Sequence, residues 1–198
     1  MPRFSPIPPA QQTPEQRAAH EAIDHRTRQR FGSTFTLKNE EGALIGPFAP
    51  LLYTPTLAIP WLNLSEQVLC LPALTERERE LAILAVLSRT RAAYAVYAHT
   101  RIAEKVGLSA SQIADASAGK TPVGLSAHER AVFEFAAETA DLKGGALPRE
   151  RFDRINEALG GREKVAAVMH TVASFLYASV LLNVANVGIP GEKPETES

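Results

Sequence analysis

No stretch of the 198-residue chain sustains the two-residue alternation of a half-buried strand. What recurs instead is helix punctuation. Thr13, Pro14 and Gln16 form a capping-box pattern that opens a helix over about residues 14–30. Thr75 and Glu78 repeat the pattern before "LAILAVLSRT", where Leu81, Leu84, Ala85 and Leu87 form an apolar stripe. "AAYAVYAHTRIAEKVG" follows, with a helical stripe through Ala92, Ala95, Val96, His99, Ile102, Ala103 and Val106 and a stop at Gly107. Ser109 and Ser126 cap two further helices, the second closed by Gly144 and Gly145. Another runs from Pro148 to Gly160 and Gly161. "GSTFTLKNEEGALIG" reads as a loop. A short helix is expected over about 57–70, with Pro60 in its first turn. The pattern predicts an all-α bundle built on antiparallel helix hairpins.

Residues 13–190 are long enough for one helical domain with its own core. The proline-rich start, 1–12, is expected to be a flexible arm, and the polar end, 191–198, a loose tail. A formal net charge of −1 leaves no electrostatic footprint for nucleic acid or for an anionic membrane surface. Cys70 is the one cysteine, which excludes an intramolecular disulfide, a Cys-x-x-Cys redox pair and a cysteine-based zinc site. That usage fits a reducing, cytoplasmic setting. "MPRFSPIPPAQQ" lacks the apolar region of a secretory signal. The stretch 165–190 is long enough to span a bilayer and has no Asp, Glu, Lys or Arg. Its Ser, Asn and His residues would need partners in lipid, so it reads as a central helix buried all round, with a membrane span as the alternative.

The turn near residues 88–92 joins two helices by almost nothing, so they run antiparallel. Glu80 lies about 10 residues before that turn and His99 about 8 or 9 after it. At ~1.5 Å per residue the two stand within ~3 Å of the same height. A carboxylate facing an imidazole fixes its tautomer and stabilises its protonated form, which makes a general acid/base unit. Ala92 and Ala95 would leave room beside it. The plain alternative is a core histidine with one partner, and a Glu80 belonging to a solvated cluster with Arg77 and Arg79.

The same residues resemble the carboxymuconolactone decarboxylase family, which includes the AhpD type of alkyl hydroperoxide reductase partner. Its redox members carry Glu, eleven residues, then Cys-x-x-Cys-x-x-x-His. Here Glu80 and His99 keep that frame, and both cysteine positions, Ala92 and Ala95, hold alanine. "TPEQRA", "GPFAPLLYTPTLA", "LTERERELAIL", "YAVYAH", "AEKVGLSASQI" and "LLNVANVGIP" resemble successive blocks of the longer single-domain members. Without an attacking and a resolving thiol at 92 and 95 the thiol–disulfide cycle of the peroxidase branch cannot run. Cysteine-free relatives often carry Tyr-Glu-Trp-Tyr-x-His. Tyr94, Tyr97 and His99 keep the tyrosines and the histidine, while Ala95 and Val96 replace the Glu and Trp, which favours a larger or more apolar ligand.

The resemblance implies a cofactor-free enzyme acting on a small carboxylated or lactone-type metabolite, by decarboxylation or isomerisation. The expected roles are His99 as general acid/base and Glu80 as the group that orients it. Tyr94 and Tyr97 are candidate donors to a substrate carbonyl or carboxylate, or else part of a subunit interface. His170 and Asn183 are candidates for a second wall of the pocket, or else polar residues satisfied by backbone. No His-x-x-x-His or Glu-x-x-His spacing supports a metal site, so none is expected. The resemblance also implies a homo-oligomer, a trimer or higher, with a dimer as the lesser state. The rival reading is a non-catalytic small-molecule binder or scaffold on the same fold.

Overall fold

The computed structural model describes residues 2–191. Its α-helices are α1 (Pro14–Phe31), α2 (Phe48–Leu51), α3 (Ala58–Leu69), α4 (Glu76–Thr90), α5 (Ala93–Lys105), α6 (Ala110–Ser117), α7 (Ala127–Ala140), α8 (Arg149–Leu159) and α9 (Arg162–Val184). No strand forms among the described residues, and one isolated bridge pairs Lys38 with Leu44. The expected all-α class is what forms. The helix starts follow local chemistry. At α1, α4, α6 and α7 the Ser or Thr before the helix accepts from the N3 backbone N–H, and the N3 side chain accepts from the cap's own N–H. The expected tail falls almost wholly on residues 192–198, which lie outside the described residues.

The chain divides into two compact units. The described residues of Met1–Glu66, Ala92–Ala98 and Ala178–Ser198 form the first. Its core is Ile23 of α1, Leu44, Leu51 and Leu52 around α2, and Ala58 and Leu62 of α3, with Leu181 packed against them. Residues 2–12, read as an arm, are held here. The Arg3 N–H donates to the Ala185 carbonyl at 2.8 Å, and the Tyr53 hydroxyl donates to the Ser5 carbonyl at 2.9 Å. Gly46 has φ +69°, and a Cβ there would overlap the ring of Tyr94, so that contact requires glycine.

The second unit, Gln67–Arg91 and His99–Tyr177, is organised on α4. Residues Glu78 through Leu87 are all buried, with α6 and α7 packed against the helix. Phe133, Val132 and Ala136 of α7, Ala116 of α6 and Val168 and Val172 of α9 complete the core. This overturns the sequence reading in one respect: the helix buried on every side is α4, whose start reads Glu-Arg-Glu-Arg-Glu, and not the apolar α9. Less than half of the most apolar window of α9, 44%, is buried. Met169, Tyr177, Val180 and Val184 are all exposed. The helix also begins at Arg162, where a carboxylate at Glu163 suits its first turn, and ends at Val184 rather than 190. Asn186 adopts φ 52°, and the Val187 N–H returns to the Leu182 carbonyl at 3.0 Å, so a left-handed asparagine stops an apolar run that composition alone would extend.

Candidate functional site

Arg91 turns the chain between α4 and α5. It sits in the left-handed region at φ 53°, ψ 32°, and its N–H donates to the Leu87 carbonyl. So tight a reversal brings the flanking helices alongside one another. In the second unit it sets Glu80 of α4 opposite His99 of α5, with Nδ1 and Oε2 2.8 Å apart. Both groups are shielded: the Glu80 side chain is 5% exposed and that of His99 12%. As a carboxylate Glu80 can only accept, so Nδ1 carries the proton and Nε2 keeps the lone pair. Nε2 has no hydrogen-bond partner among the described residues. The ring of Phe175, on α9, meets the imidazole edge-on, with centroids 4.8 Å apart and planes at 88°. The imidazole is therefore held by a hydrogen bond at one nitrogen and an aromatic wall, with the other nitrogen available for proton transfer.

The rest of the "RERE" segment is no solvated cluster. Glu78 is buried and spans two partners: Oε2 accepts from the Thr75 N–H at 2.9 Å, and Oε1 pairs with Lys164 of α9 at 2.7 Å. Arg79 is buried too, and its Nη2 donates to the Leu71 and Leu74 carbonyls, at 3.1 Å each. Arg77 pairs with Glu129 of α7 at 2.7 Å, which holds that carboxyl below its ordinary range against the opposing effect of burial. These ties fix the first turns of α4, and with them the position of Glu80.

The other sequence candidates stand elsewhere. Tyr94 and Tyr97 belong to the first unit, where both engage Thr36. The Tyr94 hydroxyl donates to the Thr36 carbonyl at 2.6 Å, and Tyr97 accepts from the Thr36 N–H at 3.2 Å. Burial pushes the Tyr94 phenol well above its ordinary pKa, so it stays protonated. Ala92 and Ala95 are buried in the same unit. Asn183 is exposed on the part of α9 that belongs to the first unit, and His170 is exposed on the part that belongs to the second. Phe175 is the residue that sequence reasoning missed. Its only signal is an aromatic side chain in a helix scanned for polar groups. Among the described residues no group of three His, Cys, Asp or Glu side chains is arranged to hold a metal ion.

Residues 55–138, which include α4, α5 and both members of the pair, match the model of the carboxymuconolactone decarboxylase family. Among solved structures the chain is similar to one titled alkylhydroperoxidase AhpD core, an uncharacterized peroxidase-related protein from Ralstonia eutropha JMP134. The TM-score is 0.73 at 16% identity, over 96% of this chain and 93% of that one. At that identity the likeness is one of fold. No curated protein matches the chain in sequence.

Proposed function

Taking as premise that the chain is a member of the carboxymuconolactone decarboxylase/AhpD-like family, we propose that it is a cofactor-independent acid/base enzyme. Its substrate is a small carboxylated or lactone-type metabolite, and the reaction is a decarboxylation or isomerisation. The observation that carries this reading is the shielded Glu80–His99 pair, with Nε2 of His99 left without a partner among the described residues. In such a decarboxylation the electron pair of the breaking C–C bond passes into a conjugated carbonyl, which is the only electron sink required. The remaining step is delivery of a proton to carbon: Nε2 of His99 takes up a proton from water, gives it to the carbon and returns to its neutral form. Glu80 is the positioning residue. It holds Nδ1–H, fixes which nitrogen faces the substrate, and stabilises the imidazolium before transfer. In isomerisation the same nitrogen removes a proton and returns it to a second carbon. The single cysteine, Cys70, leaves thiol–disulfide turnover without its second thiol.

The active form is a homo-oligomer. Its support is the exposed apolar line of Tyr177, Val180 and Val184, which follow one another at helical spacing on α9.

The test is turnover of γ-carboxylated lactones, β-keto acids and aromatic acids by the wild type, His99→Ala and Glu80→Gln. It is read as CO2 release and as product mass. We expect His99→Ala to lose about 10²- to 10⁴-fold in kcat, the range of a general acid/base. Glu80→Gln should lose less, and in kcat rather than in KM, because the amide oxygen still accepts from Nδ1–H and only the counter-charge is gone. Undiminished turnover in His99→Ala would remove the histidine from the chemistry. Ligand-induced thermal stabilisation equal in all three proteins, with no product from any, would favour the binder or scaffold.

A further inference from the structure

A cavity in the second unit, sharing no residue with the Glu80–His99–Phe175 group, has a volume of about 190 Å³. Phe135 of α7, Phe152 of α8, Val165 of α9 and Leu147 of the α7–α8 loop supply its apolar walls, and the half-exposed Leu142 and Met169 form its open rim. The wall's one charged residue, Glu138, is engaged by Arg151, whose Nε and Nη2 lie 2.7 and 2.6 Å from its two oxygens. What remains polar is Thr139. Its hydroxyl is covered from solvent and has no hydrogen-bond partner among the described residues. A helical threonine ordinarily back-bonds to the carbonyl four residues earlier. Thr171 does so here, donating to Ala167 at 2.9 Å, whereas Thr139 does not. Ser65 and Ser117 also carry buried hydroxyls without a partner among the described residues, and of the three only Thr139 lines this cavity.

Size, lining and the orphan hydroxyl converge on one class of ligand. An enclosed apolar cavity of about 150 Å³ takes up benzene. The space here is somewhat larger, enough for a substituted ring. The hydroxyl shares its Cβ with a methyl, and a turn of about 120° about χ1 carries the oxygen to the place the methyl holds. The loop between α7 and α8 gives a way in: Gly144 and Gly145 have φ 124° and 77°, and a Cβ on either would meet nothing within 4 Å. We propose that this cavity binds a small neutral, largely apolar molecule of six to eight carbons carrying one hydroxyl or carbonyl, with Thr139 as its hydrogen-bond partner.

The protein supplies its own reporter, because its two methionines are Met1 and Met169 and the second lines the cavity. Methyl-¹³C methionine labelling of the full chain therefore gives one NMR signal at the site and one control. The probes are p-cresol and toluene, which differ by a hydroxyl. We expect saturable movement of the Met169 methyl signal with both, none at Met1, and about five- to tenfold tighter binding of p-cresol, the worth of one net hydrogen bond. Thr139→Val, which keeps the side chain's shape, should abolish that preference and leave toluene binding unchanged. Val165→Phe should block both probes by filling the space. Absence of a saturable Met169 shift, or a p-cresol preference that survives in Thr139→Val, would overturn the proposal. So would a Met169 signal that follows protein concentration and ignores both probes, since a second copy of the chain would then be the occupant. Should Thr139→Val fail to fold, equal affinity of the wild type for the two probes would have the same force.

Discussion

At the scale of single residues, His20 shows how burial turns a side chain into a stability sensor. It is 6% exposed on α1, and Gln12 Nε2 donates to its Nδ1 at 2.8 Å while donating also to the Ile7 carbonyl at 2.8 Å. An amide N–H at Nδ1 leaves no room for a proton there. Burial and, after it, the nearby Lys38 lower the pKa of His20 below 6.5, against the opposing pull of Asp24 and Glu21. The folded state therefore binds the proton more weakly than the unfolded chain. The stability tied to a neutral His20 is complete above pH 6.5 and is lost as pH falls from there through the lower, folded value. The expected result is a urea midpoint that declines on acidification below about pH 6.5, with a slope from this group of at most about 1.4 kcal/mol per pH unit. His20→Gln should remove that component of the decline. A variant whose acid profile coincides with the wild type would show that another group governs it. The Glu80–His99 pair was legible at this same scale, because two residues equidistant from a short turn on antiparallel helices must meet. Phe175 was not, because an aromatic residue in an apolar helix carries no mark of which face it presents.

At the scale of elements, α4 and α9 exchange the roles that their compositions suggest. Capping boxes made the helix starts readable, since Ser or Thr followed by Gln or Glu at N3 is a local, geometric signal. Burial was less readable. Glu78, Arg79 and Glu80 are buried because each has a specific polar partner, and partners on other elements leave no trace in a hydropathy pattern. Glu78 joins the two kinds of information, since it closes the α4 cap and binds Lys164 of α9. Glu78→Gln keeps an acceptor for the Thr75 N–H and loses the ion pair, and should cost about 1–2 kcal/mol. Glu78→Ala leaves both the cap N–H and the ammonium unmatched and should cost about 2–4 kcal/mol. Chemical denaturation of the two variants checks the order. Equal and small losses, each below about 0.5 kcal/mol, would mean that the pair behaves as an exposed salt bridge.

At the scale of the whole molecule, the chain builds two compact units from interleaved segments, with α5 and α9 each contributing to both. Length and composition gave one domain. Segment exchange between units depends on long-range packing that neither periodicity nor caps encode. The division separates the sequence candidates: the tyrosines of α5 are committed to Thr36 in the first unit, whereas the Glu80–His99 pair lies in the second. α9 poses the remaining question at this scale. An 18-residue window within its 23 residues has a mean hydropathy of 1.8, enough by length and composition for a helix that crosses a membrane. The described fold instead buries Val165, Val168 and Val172 in the core and exposes Tyr177, Val180 and Val184, at 43%, 61% and 57%. A one-sided stripe of that kind suits a contact with another copy, because the opposite side of the helix already serves a core. In detergent-free buffer we expect light scattering to give a mass of at least two chains, falling toward one in Val180→Glu. That substitution places a charge in the middle of the stripe and leaves the buried side untouched. Circular dichroism should remain that of the wild type, and neither protein should float with lipid vesicles. A wild type that is monomeric at every concentration would remove the interface, and flotation lost in Val180→Glu would assign the stripe to a lipid surface instead.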